Sequence, residues 1–265
     1  MSQRLRITSL GSSFAAGPGI GSMENEAAGR SSQNYAHQLA RALNADLTDL
    51  SVSGATLLNV LKEEQFAGGC VFEPQLHQIP HDTNIVTLTC GGNDIDYIGS
   101  LIDKLMLSQL GPRHQQVLAS PKKSLTSWQA LAERLEAVLD QIHAVAPKAR
   151  IYMVQYPAII GNQTRPLYDL ALGPENVVKW DLMAQRLAHS YVDVEKSRSA
   201  WVEVVPVAGV SREHGLGSAE PWVRGFSVDM LAHGPAPLHP NLAGHTAVAD
   251  MLYRQISTGA GLSKL

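Results

Sequence analysis

Near the start of the chain, residues 5–14 read LRITSLGSSF. Residues 4–10 alternate apolar and polar side chains, which predicts a β-strand. Gly11 ends this strand and permits a tight turn, and Ser12 and Ser13 follow where a parallel strand would pass into a helix. Because ligands of open α/β sheets bind just beyond the carboxyl ends of the strands, a serine here is a candidate nucleophile. A serine that only caps a helix is the alternative.

Length and composition are typical of one α/β domain. The chain has 265 residues, of which 45% are hydrophobic, and this is enough for one sizeable core. A net charge of −3 gives no basic surface for nucleic acid or an anionic membrane. No apolar run approaches the ~18 residues of a transmembrane helix. The first strand begins within a few residues of Met1, which leaves no room for a signal peptide. Cys70 and Cys90 are too few for a disulfide framework, so we expect a cytoplasmic protein, or a secreted one that lacks its leader.

Strands and helices alternate along the rest of the chain. Further strands are predicted at 47–52, 84–90, 150–155 and 201–205. Amphipathic helices are predicted at about 34–43 and around 128–145, 183–194 and 243–256. A further helix follows residues 53–56 and ends at about residue 63. This alternation predicts a parallel five-stranded sheet between two helical layers, in a single domain over residues 1–265. Residues 95–123 form a long insert, either a lid or pocket wall or an extra packing helix.

Four polar patches lie at predicted strand ends or in loops. Acyl transfer to a serine needs a hydroxyl, a base that takes its proton, and donors for the resulting oxyanion. Ser13 offers the hydroxyl, Gly54 a bare backbone amide after the second strand, and Asn93 a side-chain amide after the third. His239 lies in a loop before the last helix, and this loop can fold over Ser13.

These patches resemble the four blocks of the SGNH hydrolases, also called the GDSL family. The blocks are GSS at 11–13, SGAT at 53–56, GGND at 91–94 and HPNLAGH at 239–245, in the family's order. They span almost the whole chain. The resemblance implies a flavodoxin-like three-layer α/β/α sandwich, ester hydrolysis through an acyl-serine intermediate, and no cofactor.

The resemblance also implies a role for each of these residues. Ser13 is the nucleophile, and His239 is the general base and then the acid. The backbone amides of Ser13 and Gly54 and the side chain of Asn93 form the oxyanion hole. Ser12 stands where the family usually has an aspartate, but the nucleophile after it is kept.

A second departure concerns the group that orients His239. The family usually has an aspartate three residues before the histidine, and here that residue is Ala236. The main-chain carbonyl of Ala236, or that of Pro237 or Leu238, can take its place, and Asp229 is the nearest acidic side chain before His239. We expect a carbonyl, because prolines stiffen this loop. Activity is then expected to fall as His239 becomes protonated, near its ordinary pKa of about 6.5.

Three functions remain open at this point. The first is a serine esterase or lipase, the second is an acyltransferase that uses the same serine, and the third is a non-catalytic binding protein. The expected partner is a small-molecule ester or acyl compound, and the oligomeric state stays open. An apolar groove beside Ser13 is expected to favour acyl chains longer than acetate, with walls from Leu101, Ile102, Leu105, Met106, Ile159 and Ile160.

A metal site is not predicted. His233, His239 and His245 recur every six residues, which is not the spacing of one helix face, and no carboxylate cluster accompanies them.

Overall fold

A five-stranded parallel sheet forms the centre of the protein, as seen in a computed structural model that describes residues 4–110, 126–233 and 236–258. The strands are β1 (Arg6–Gly11), β2 (Met23–Asn25), β3 (Arg30–Ser31), β4 (Asp46–Asp49), β5 (Gln65–Ala67), β6 (Cys70–Phe72), β7 (Ile85–Thr89), β8 (Arg150–Val154) and β9 (Val202–Val205). The central sheet has the order β4-β1-β7-β8-β9, and all its neighbouring strands are parallel. Counted along the chain, this is the flavodoxin-like order 2-1-3-4-5. The predicted parallel five-stranded sheet is confirmed.

Helices cover both faces of this sheet. They are α1 (Ser13–Ala16), α2 (Tyr35–Ala42), α3 (Leu57–Leu61), α4 (Tyr97–Leu110), α5 (Trp128–Val145), α6 (Pro174–Lys196), α7 (Val207–Val210), α8 (Val228–His233) and α9 (Leu242–Thr258). One hydrophobic core lies between the sheet and α2 and α9, and the other lies between the sheet and α3 to α6. The predicted three-layer α/β/α sandwich is therefore confirmed. Within the described ranges, no helix has both the length and the apolar character of a membrane span.

The strands supply both cores through the alternation of their side chains. In β8, Ile151 and Met153 enter the core beneath α3 to α6, whereas Tyr152 and Val154 enter the other core. Every residue of β7 is buried, because this strand lies in the middle of the sheet with helices on both faces.

Some elements were not predicted from the sequence. They are the hairpins β2–β3 and β5–β6 and the helices α1, α7 and α8, which are too short for a hydrophobic period to show. The insert predicted at 95–123 begins with α4, whose Leu101 and Leu105 are buried in the core, as expected for a packing helix. Residues 111–125 of this insert lie outside the described residues.

Gly11 pairs with Thr89 at the end of β7 and leaves no room for a side chain. Its φ is +137°, and a Cβ at this position would lie 2.3 Å from the carbonyl oxygen of Thr89. The buried side chain of Gln75 completes the strand end, since it accepts from the Gly11 N–H (2.8 Å) and donates to the Gly11 carbonyl (3.0 Å). The residues that follow β1 therefore lie directly beside those that follow β7.

Replacement of Gly11 by alanine is expected to destabilise the fold. The new methyl group would collide with the Thr89 carbonyl, and the backbone would be held in a region that L-residues avoid. We expect Gly11→Ala to lower the free energy of unfolding by about 2–4 kcal/mol in denaturant titrations. The matched control is Gly209→Ala in α7, where a Cβ meets no atom within 4 Å. This control is expected to be neutral or to stabilise by up to about 1 kcal/mol. Equal effects of the two changes would contradict the prediction.

Candidate active site

Ser13 is the first residue of α1 and comes directly after the turn made by Gly11 and Ser12. The Ser12 N–H donates to the Thr89 carbonyl at 3.0 Å and holds this turn against the end of β7. Ser13 is only 7% exposed. Its Oγ lies 2.8 Å from Nε2 of His239, although the two residues are 226 positions apart. The structure thus brings the predicted nucleophile and the predicted base within hydrogen-bonding distance.

A backbone carbonyl determines which nitrogen of His239 carries the proton. Nδ1 lies 2.7 Å from the carbonyl oxygen of Pro237. Because a carbonyl can only accept a hydrogen bond, Nδ1 must be the protonated nitrogen of the neutral ring. Nε2 is then free to accept the hydroxyl hydrogen of Ser13. In this tautomer His239 has the arrangement of a general base.

Two of the groups predicted to orient His239, the Asp229 carboxylate and the Ala236 carbonyl, lie elsewhere, and this is a correction to the sequence analysis. Asp229 is exposed on α8, and the described structure has no hydrogen bond between Asp229 and His239. The carbonyl of Ala236 faces Arg224, whose Nη1 lies 3.5 Å away. Pro237 supplies the orienting carbonyl instead.

Leu238 explains why the carbonyl of Pro237 reaches the ring. Its φ of +61° is left-handed, and this turn folds the preceding carbonyl back towards His239. Such a conformation costs a leucine about 1–2 kcal/mol, and complete burial of its side chain offsets the cost. Residues 238–241 are also held by antiparallel backbone contacts with residues 222–225. The backbone around His239 is therefore held in place by residues 222–225.

Burial lowers the pKa of His239 to about 4. The positive charge of Arg224 acts in the same direction, whereas the hydrogen bond to Pro237 opposes the shift. The ordinary value of about 6.5 expected from the sequence is too high, because the sequence does not reveal that the ring is buried. His239 therefore stays neutral, and able to take a proton, down to about pH 5.

The predicted oxyanion donors each have an N–H hydrogen that no hydrogen bond of the described residues uses. Neither the N–H of Ser13 nor that of Gly54 donates to any residue that the structure describes. Gly54 is exposed and has a φ of +84°. The side-chain amide of Asn93 donates one hydrogen to the Ala55 carbonyl at 2.8 Å, and its second hydrogen remains available. This bond also ties Asn93 to the residue next to Gly54.

Asp94 anchors the turn that carries Asn93. Its carboxylate accepts hydrogen bonds from the N–H of Leu57 at the start of α3 (2.9 Å) and from Arg134 on α5 (2.8 Å). Burial raises the pKa of Asp94, and these two bonds oppose the shift. The sequence analysis missed this role, since no local pattern links an aspartate to an arginine 40 residues away.

The residues predicted to line an apolar groove beside Ser13 are mostly buried. Most of its members are buried in the main core, where they are not open to a surface groove: Leu101, Leu105, Ile159 and Ile160. Ile102 and Met106 are only partly buried. A separate cavity of about 480 Å³ lies between α6 and the end of β8, and none of the six predicted residues lines it.

One group of side chains has the composition of a metal site. Glu24, His37 and Asp49 have ligand atoms within 4.8 Å of one another. The buried carboxylate of Asp49 already accepts hydrogen bonds from Asn34 (2.7 Å) and from the Ser51 hydroxyl (2.6 Å). These contacts satisfy Asp49 without an ion and hold the chain that leads from β4 towards the second polar patch.

Comparisons with known proteins identify a family and a shared fold. The family model of the GDSL-like lipases and acylhydrolases matches residues 9–247. A lipase of Streptomyces coelicolor, "Lipase 2", is 29% identical over 258 residues, which cover 93% of this chain and 84% of the lipase. Two solved structures share the fold: an extracellular lipase from Streptomyces rimosus, with a TM-score of 0.68, and a phospholipase A1 from Streptomyces albidoflavus, with a TM-score of 0.70. Both are 19% identical to this chain, cover 94% and 95% of it, and are themselves covered to 99%.

With the family match extending from the first strand to the last helix, the chain belongs to the GDSL-like lipase/acylhydrolase family, the SGNH hydrolases, and is a carboxylic ester hydrolase.

Proposed function

We propose that this esterase works through a Ser13–His239 dyad, with the Pro237 carbonyl in place of the usual aspartate. The observation that carries this proposal is the 2.8 Å contact between Ser13 Oγ and His239 Nε2, together with the 2.7 Å contact between His239 Nδ1 and Pro237. The first contact supplies a proton acceptor for the hydroxyl, and the second keeps that acceptor unprotonated.

In the acylation step, Ser13 Oγ attacks the ester carbonyl carbon and its proton moves to Nε2 of His239. The imidazolium keeps its Nδ1–H on the Pro237 carbonyl. The tetrahedral oxyanion accepts hydrogen bonds from the N–H groups of Ser13 and Gly54 and from the Asn93 amide. As the bond to the leaving oxygen breaks, Nε2–H protonates that oxygen, and the alcohol departs from the acyl-serine.

In the deacylation step, water takes the place of the alcohol. His239 Nε2 removes a proton from the water, which attacks the acyl-serine through a second oxyanion. Collapse of this intermediate returns the proton to Ser13 Oγ and releases the carboxylic acid. A carbonyl stabilises imidazolium less than a carboxylate does, so we expect a modest turnover.

Acyl esters of lipids are the substrate class that we infer. The similar proteins described as a lipase and a phospholipase A1 support this class.

A reducing compartment is the location that we infer. Cys70 is exposed and unpaired, and Cys90 is buried and unpaired, which is typical of such a compartment. The alternative is secretion, because the similar Streptomyces rimosus lipase is described as extracellular. Fractionation of the source cells distinguishes the two.

The identity of the nucleophile is tested with the two adjacent serines. Ser13→Ala is expected to lower kcat by more than about 10⁴-fold on p-nitrophenyl esters and to abolish labelling by a fluorophosphonate probe. Ser12→Ala, the matched control, is expected to keep the labelling and to stay within about tenfold of the wild-type kcat. If only the Ser12 variant loses its labelling, the assignment is wrong.

The oxyanion role of Asn93 is tested by kinetics. Asn93→Ala removes one donor and is expected to lower kcat about 10²- to 10³-fold with little change in KM. Asn162→Ala is the control, because this exposed amide bonds to Glu213 rather than to the site. An effect on KM alone would assign Asn93 to ground-state binding.

The pH profile tests the state of His239. Protonation removes the base, so kcat/KM is expected to be flat from about pH 7 to pH 5 and to fall below that, with a midpoint near the lowered pKa of about 4. Circular dichroism at each pH checks that the fold is intact. A midpoint near 6.5 would contradict the effect of burial.

The orienting carbonyl is tested at Asp229 in the same assay. Because its side chain is exposed and is not bonded to His239, Asp229→Asn is expected to change kcat less than about tenfold. A loss approaching the ~10⁴-fold of a neutralised triad aspartate would show that a carboxylate orients the ring after all.

A further inference from the structure

Tyr156 reaches across the sheet to the catalytic edge. It follows β8, and β7 lies between β8 and β1. Its ring is buried and packs against that of Phe14, with the two centroids 4.6 Å apart. The ring also lies against Gly92, where a Cβ would come within 3.0 Å of three of its atoms. This side chain therefore spans the ends of three neighbouring strands.

The hydroxyl of Tyr156 joins the two turns that carry the proposed site. The N–H of Gly92 lies 3.1 Å from it, and Ser12 Oγ lies 3.2 Å from it. An N–H can only donate, so the phenol oxygen accepts from Gly92 and its own hydrogen is available to Ser12. The Ser12 hydroxyl in turn points at the Thr89 carbonyl, 3.5 Å away. Either hydroxyl can donate in the Ser12–Tyr156 contact, and donation from the phenol leaves the Ser12 hydrogen for the Thr89 carbonyl.

The neighbours of these partners are the proposed catalytic groups. Ser12 and Phe14, which both contact Tyr156, lie on either side of Ser13, and Gly92 directly precedes Asn93. We propose that Tyr156 is a positioning residue that sets the spacing between the Ser13 hydroxyl and the Asn93 amide. The inference rests on the oxyanion hole proposed above, and it assigns Tyr156 no contact with the substrate.

The pairing also gives a role to Ser12, which replaces the family's usual aspartate. A serine can accept from the buried phenol and donate to Thr89, which joins the three groups without burying a charge. Ser12 and Tyr156 therefore form a neutral hydrogen-bonded pair.

The test begins with Tyr156→Phe, which keeps the ring contacts and removes the hydroxyl alone. We expect kcat to fall about 10- to 100-fold with KM within about twofold, and the rate of fluorophosphonate labelling to fall by a similar factor. The matched control is Tyr97→Phe. Tyr97 is buried in edge contact with Tyr156, and its hydroxyl bonds to no described residue. This control is expected to keep kcat within about twofold, and thermal unfolding of both variants checks that they fold. Equal losses of kcat would overturn the inference.

A double-mutant cycle separates positioning from general weakening of the fold. If Tyr156 acts through Asn93, then Asn93→Ala must cost less in the Tyr156→Phe background than in the wild type, and the double variant must be within about threefold of Asn93→Ala alone. If the two losses multiply instead, the inference is overturned and the oxyanion hole stands. If Asn93→Ala alone leaves kcat unchanged, the proposed hole itself is wrong and the inference falls with it.

Discussion

The close approach of β1 and β7 at Gly11 and Thr89 is the constraint on which the site depends. A Cβ at position 11 would lie 2.3 Å from the Thr89 carbonyl oxygen, so only glycine fits there, and only a residue that tolerates a φ of +137° can make this turn. With that turn in place, Ser13 starts a helix at the same edge at which β7 passes into Asn93. A parallel sheet brings strand ends together, and this one glycine lets the turn after β1 lie against the end of β7.

The second half of the site comes from a loop and not from the sheet. His239 reaches Ser13 because its loop is paired along the backbone with residues 222–225. Within that loop the left-handed Leu238 turns the Pro237 carbonyl onto the ring. A backbone carbonyl thereby bonds to Nδ1 of His239, without adding a buried negative charge. The same burial lowers the pKa of His239, which keeps the ring neutral when no negative partner is present.

Buried polar side chains hold the turns of the site together beyond the strand ends, where the hydrogen bonds of the sheet have stopped. Gln75 completes the end of β1, Asp94 ties the turn after β7 to α3 and α5, and Tyr156 joins the two turns. Each of them satisfies backbone groups that would otherwise be buried without a partner, so their contacts stabilise the fold and position the site at the same time. None of the three was identified from the sequence, although all are of ordinary types for such contacts.

Local patterns in the sequence were enough to predict the alternation of strands and helices, and the residue types at the strand ends. Both are short-range properties: periodicity reports which face of an element is buried, and Gly11, Ser13, Asn93 and His239 stand in a chemically distinctive order. Only the tertiary structure decided which carbonyl faces His239 and how far the pKa of His239 falls. The same is true of the groups to which Tyr156 and Asp94 bond. Those properties depend on burial and on contacts between segments up to 226 residues apart, and no local pattern encodes them.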